Sequence, residues 1–226
     1  KRITSNGLTV NAISGTHCVF LGFDMPKSST KNLLGFAIQR EDISEQETIW
    51  LRSIKTFKSV RALAGQEDAN SLTAPFQSFQ WADYTVKPGH DYKYRVFPMT
   101  GKPEKLIQGP STTVPISAET PEDAKHGVYF NRGAIASQAY AKRFGLVDPF
   151  APGQEAALEW LSRDILHGIL DFIARAKGSD FALRVAIYET QFSPILDALA
   201  AARDRGVDVH VVYGANAGAE GTTLCR

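Results

Sequence analysis

Cysteine is nearly absent from this chain. Cys18 and Cys225 stand at opposite ends of 226 residues, which excludes a disulfide framework, and no Cys-x-x-Cys pair or Cys/His cluster offers zinc spacing. A reducing compartment and a cytoplasmic location are the expectation. Long apolar runs are missing too: nothing approaches the roughly 20 residues that cross a bilayer, so an integral membrane protein is not expected. The start KRITSNGLTV is basic, but the apolar run after it is short and interrupted, unlike a signal peptide. There is no initiator Met, which leaves room for a removed leader. A charge excess of one sign is also lacking, since 25 Lys and Arg meet 24 Asp and Glu. Up to Thr120 there are 14 basic against 11 acidic residues, and after it 11 against 13. Neither part has the basic excess usual in nucleic-acid-binding domains.

What is present fits a globular protein. Hydrophobic residues make up 43% and charged residues 22%, and the length suits two domains of about 100–150 residues each. We place them at 1–118 and 119–226. The first lacks any long helical period and has short strands between frequent turns. LTVNAISG, THCVFLGFDMP, NLLGFAIQRED and TIWLRSIKTF are its first four strand candidates. A polar stretch follows, KSVRALAGQEDANSLTAP, whose start could form a helical turn. In SFQWADYTVKPGHDYKYRVFPMTG, Trp81, Tyr84 and Val86 lead into the turn pair Pro88-Gly89, and Tyr92 to Val96 alternates again. QGPSTTVPISAET closes the domain as a proline-bearing edge strand. Trp50, Trp81 and Phe79 read as core packing. His17 and His90 read as strand and turn residues, having no second ligand at metal spacing.

This order resembles a fibronectin type III-like β-sandwich, and YTVKPGHDYKYRV carries the resemblance. It implies a corner hydrogen bond from the Tyr three residues past Pro-Gly, here Tyr92, to nearby backbone. It also implies a structural or adhesive role with an unknown partner. The polar insertion around 58–75 departs from the family.

SAETPEDAKH reads as a linker or first helical turn. Val128 to Phe130 suggest a short strand, and Ala134 to Phe144 a small-residue helix ending at Gly145. Leu158, Leu161, Ile165, Ile169, Phe172 and Ala176 recur at helical spacing, predicting one long helix over 155–176. From Phe181 to Tyr213 the pattern is strand, helix, strand. Phe181 to Tyr188 is apolar on both faces apart from Arg184, as in a strand covered on both sides. Ser193-Pro194 reads as N-cap and first helical residue, Gly206 as the stop, and Val207 to Tyr213 as the second strand. The two strands are expected to be parallel. The fold class predicted is an all-β sandwich followed by an incomplete α/β domain.

YFNRGAIASQAYAKRF, LEWLSRDILHGILDFIARA and VAIYETQFSPILDALAAARDRGVDVHVVYGAN together resemble the phospholipase D superfamily over residues 127–216, the first stretch in the manner of a bacterial subgroup. The resemblance implies a hydrolase, a phosphodiesterase acting on phospholipid or nucleic acid. It uses a phosphohistidine, an acid histidine and a charge-balancing lysine, without metal or other cofactor. Two His-x-Lys-x-x-x-x-Asp motifs are needed. His17, His90, His126, His167 and His210 are followed two places later by Val19, Tyr92, Val128, Ile169 and Val212, so the motif is absent. The expectation is a fragment, with a missing C-terminal segment or a second subunit supplying the catalytic histidines.

Sites in parallel α/β layers lie past the C-terminal strand ends, which singles out Tyr188, Glu189 and Asn216 as substrate-binding candidates. Glu189 could equally be a turn residue or helix cap. Arg132, in Asn-Arg-Gly, could hold a phosphate bidentately or form a structural salt bridge. His210 reads as a core or interface histidine, His167 as a surface residue. Two other readings stand beside this. GANAGAEG invites nucleotide binding, but its glycines at 214, 218 and 221 miss the GxGxxG spacing and no Lys-Ser/Thr follows. A non-catalytic scaffold with a degenerate phospholipase D-like domain is the stronger alternative.

Overall fold

The computed structural model describes residues 1–53, 55–60, 69–123, 125–133, 137–188 and 192–214. The chain divides into two compact units, Lys1–Asp123 and Ala124–Arg226.

Unit 1 is a β-sandwich. Its strands are β1 (Arg2–Ser5), β2 (Leu8–Ser14), β3 (Val19–Asp24), β4 (Gly35–Asp42), β5 (Glu47–Trp50), β6 (Gln80–Asp83), β7 (Asp91–Lys102), β8 (Lys105–Gln108) and β9 (Thr112–Ser117). One sheet runs β1-β2-β3-β6 and the other β5-β4-β7-β8. β9 pairs with the first half of β7, Tyr92 opposite Ile116 and Val96 opposite Thr112. All these pairs are antiparallel. Alternation explains the core. Leu8, Val10 and Ala12 on β2, Val19, Leu21 and Phe23 on β3, and Tyr92, Tyr94 and Val96 on β7 turn inward, meeting Phe36, Ile38 and Val114. Two strands are absent from the sequence reading. β1 closes on β2 through Asn6-Gly7, both at positive φ (52° and 77°), the mirror-image two-residue turn that suits a hairpin's twist. β8 returns on the far end of β7 after Pro103-Glu104.

Trp81 stacks on Phe76 with ring centroids 3.7 Å apart, and Trp50 lies 5.5 Å from Phe97. Phe79 differs from the expectation of core packing. It meets Phe36 edge-on but stays 44% exposed, because it precedes β6 at the sandwich margin. The expected helical start of the polar insertion is a short 3-10 turn, Lys58–Val60; residues 61–68 lie outside the described residues.

Unit 2 contains α1 (Gln138–Phe144), α2 (Glu155–Ser162), α3 (Ile165–Ala174), β10 (Ala182–Ile187), α4 (Ser193–Asp204) and β11 (Asp208–Tyr213). β10 and β11 pair in parallel, Leu183 opposite Val209 and Val185 opposite Val211. α3 and α4 supply Ile173, Ala176, Leu199 and Ala202 to a core that also takes Leu183 and Val207. Among the described residues, no helix is long and apolar enough to cross a membrane.

Four expectations here are corrected. Residues 128–130 form no strand, and Val128 and Phe130 are about half exposed. The long helix over 155–176 is two helices, broken at Arg163 with φ 52°. The break has a visible cause. In a continuous helix the carbonyls of Trp160 and Leu161 would accept from residues 164 and 165. Instead, the Arg132 guanidinium donates to the Trp160 carbonyl, and the Arg132 backbone N–H donates to that of Leu161 at 2.8 Å. Ser193 is not the N-cap: Phe192 holds that place, with Pro194 in the first turn. Finally, among the described residues β10 is covered on one side only. Leu183 is buried, whereas Ala182, Arg184 and Ala186 are exposed.

Candidate functional site

The parallel unit converges at its C-terminal end. β10 delivers Tyr188 one residue past its end, 77% exposed, and β11 delivers Tyr213 and Gly214. A Cβ on Gly214 would come within 2.8 Å of the Tyr188 carbonyl, so the two strand ends run against each other and a side chain at 214 would push them apart. The place is where an α/β layer carries ligands. Of the four residues singled out, Tyr188 stands there. Glu189 and Asn216 lie outside the described residues. Arg132 lies on α2. Its guanidinium sits 4.3 Å over the Trp160 ring and one of its amines is spent on the Trp160 carbonyl. Its pKa is lowered, first by burial and then by Arg163 and Arg143, with Asp164 opposing. Arg132 thus ends a helix, a role that spacing in the sequence does not reveal.

The open face of the parallel pair carries a polar row. Arg184 donates to the Asp208 carboxylate at 2.5 Å and to its backbone carbonyl at 2.9 Å, while His210 Nε2 is 2.9 Å from the same carboxylate. The Arg184 hydrogen bond holds the Asp208 pKa below its ordinary value. His210 is therefore a surface residue, its side chain 67% exposed, which removes the core half of the core-or-interface expectation. Strand alternation puts it opposite Val209 and Val211, on the face that no helix covers among the described residues. His167 is exposed, as expected for a surface position.

Unit 1 holds a second polar group, buried inside the sandwich. Arg40 donates to Asp83 at 3.2 Å and to Thr85 at 2.5 Å, and the Tyr94 hydroxyl donates to Asp83 at 2.9 Å. Arg40 and Asp83 are both nearly inaccessible. Burial and then Asp83 push the Tyr94 pKa far above its ordinary value. Burial alone would lower that of Arg40; Asp83 outweighs it and raises it. Beside them, His90 Nδ1 lies 3.1 Å from Asp42, and the Lys87 N–H donates to the Tyr92 hydroxyl at 2.8 Å. Asp83 thus takes hydrogen bonds from Arg40, Tyr94 and Thr85 and ties strands together, while the buried Arg40 Nε has no partner among the described residues. Among the described residues, no cluster of three or more His, Cys, Asp or Glu side chains is arranged to hold a metal ion.

No family model matches the sequence, and no curated protein matches it. Among solved structures the chain is similar to a myokine, at 12% identity and a TM-score of 0.34 over 50% of this chain and 93% of that one. It is also similar to a computationally redesigned β-sandwich protein, at 8% identity and a TM-score of 0.33 over 54% and 96%. The sandwich described above stands on its own strand pairing.

Proposed function

We propose that this chain is part of a phospholipase D-like phosphodiesterase, in which a fibronectin type III-like sandwich precedes the first part of a catalytic α/β domain. The observation that carries the reading is the β10–α4–β11 unit, two parallel strands whose C-terminal ends meet at Tyr188 and Gly214. For the sandwich, the order β2-β3-β6 against β5-β4-β7-β9 and the Tyr92 hydroxyl bonded to the Lys87 N–H support the finer assignment. The reaction is hydrolysis or transfer at a phosphodiester, of lipid or nucleic acid, through a phosphohistidine and without a metal. Its histidines come from residues outside this sequence or from a second subunit; Tyr188 stands on the substrate side, with Glu189 and Asn216 the further candidates from the sequence. Arg132 caps the end of α2. Sequencing the native gene past Arg226 tests this: two His-x-Lys-x-x-x-x-Asp motifs, or one with a dimeric product, are expected.

A second reading rests on the absence of that motif from all five histidine positions. It makes the α/β part a degenerate domain in a scaffold whose sandwich binds a partner. A gene with no such motif favours it.

A further inference from the structure

The first hairpin of the sandwich turns at Asn6-Gly7, and what surrounds the turn bears on its chemistry. Both residues are exposed, and a Cβ on Gly7 would meet nothing within 4 Å, so the turn stands open to water. The Gly7 N–H makes no hydrogen bond among the described residues. The Asn6 amide, by contrast, is pinned: its Nδ2 donates to the Ser111 carbonyl at 3.0 Å. The buried Thr112 hydroxyl lies 2.8 Å from the Ser5 carbonyl and 3.0 Å from that of Leu8, the two residues that face each other across the turn. Asparagine is a thermolabile residue. Its amide is lost most readily before glycine, where no side chain hinders the next backbone nitrogen.

We infer that Asn6-Gly7 is a site of spontaneous deamidation, and that Ser111 and Thr112 form the catch that slows it. The Gly7 nitrogen attacks Cγ of Asn6; that C–N bond forms, the Cγ–Nδ2 bond breaks, and Nδ2 leaves as ammonia with the Gly7 proton. Water then opens the cyclic imide at either carbonyl, leaving aspartate or isoaspartate. Ring closure needs the Asn6 amide to let go of Ser111, so it proceeds from the locally opened hairpin. A carboxylate only accepts hydrogen bonds, so either product turns an attraction to the Ser111 carbonyl into a repulsion. Isoaspartate also lengthens the main chain of the turn, and hairpin register follows from turn length. The consequence is release of β1 from β2. The site belongs to the sandwich alone, so it stands or falls apart from the phosphodiesterase reading.

Incubation of the full chain at mildly alkaline pH, with the free peptide RITSNGLTV alongside, tests it. Peptide mapping by mass spectrometry follows conversion at Asn6, and hydrogen exchange follows the amides of β1. The folded chain is expected to convert, but at least about fivefold more slowly than the peptide, the scale of one net hydrogen bond. Thr112→Val removes the hydroxyl and should speed conversion by about fivefold. Thr4→Ala, which removes the 2.8 Å hydroxyl contact with Thr9 across the hairpin, repeats the test should T112V fold poorly, with a gain of about twofold. In the converted fraction the β1 amides should lose their protection. Any of four results overturns the inference: no conversion of the folded chain while the peptide converts, a folded rate equal to the peptide's, equal rates in wild type and both variants, or unchanged β1 exchange after conversion.

Discussion

At the scale of single residues the strongest commitments lie inside the sandwich. Asp83 receives Arg40, Tyr94 and Thr85, so Asp83→Ala leaves a buried guanidinium without its carboxylate. A loss of about 3–5 kcal/mol in unfolding free energy is expected, read by urea denaturation of unit 1 signals. Tyr92→Phe removes the acceptor of the Lys87 N–H and should cost about 1 kcal/mol in the same experiment. Asp42 gives a pH prediction. Burial raises its pKa, but hydrogen bonds from His90 and the Glu45 N–H outweigh that, so the folded value is depressed. A carboxylate depressed on folding adds stability above its unfolded value of about 3.9 and loses it as pH falls through the lower folded value. Asp42→Asn should therefore be less stable than wild type near neutrality and show a flatter acid limb between about pH 4 and 2. Parallel acid limbs in the two proteins would remove Asp42 from the account.

At the scale of elements, Gly168 on α3 is the sharpest test. A Cβ there would sit 2.8 Å from Cγ and Cδ2 of Tyr129, the rigid base of the ring. Helix propensity favours alanine over glycine by about 1 kcal/mol, yet overpacking of this kind costs about 1–3 kcal/mol. Gly168→Ala should destabilise unit 2, and Tyr129→Ala in the same chain should return the propensity gain, measured by thermal unfolding. The elements also show how far the sequence could be read. Alternation at Val19, Leu21 and Phe23, and at Tyr92, Tyr94 and Val96, is local and was legible, as was the stop at Gly206. β1 was missed although Asn6-Gly7 is a strong hairpin signal, because its four residues carry little apolar pattern. The break at Arg163 was not legible at all. The apolar period runs through it, and its cause is Arg132, some thirty residues earlier in sequence.

At the scale of the molecule, the second unit is where the sequence reading and the fold diverge most. Composition suggested a strand covered on both faces, but Arg184, Asp208 and His210 form a polar row on the open side of a two-stranded sheet. An apolar run reports that a strand is hydrophobic, not how many layers cover it. The candidate site was legible only as a place, the C-terminal ends of the parallel strands. Tyr188 stands there, and Arg132, chosen as a phosphate ligand, turned out to cap a helix from outside it. The phosphodiesterase proposal is tested most directly by one measurement on the full-length gene product: hydrolysis of phosphatidylcholine and of single-stranded DNA, each with and without a chelator. The account predicts release of product from one of the two substrates at a rate the chelator leaves unchanged. Loss of that activity with the chelator, or no hydrolysis of either substrate, would contradict it.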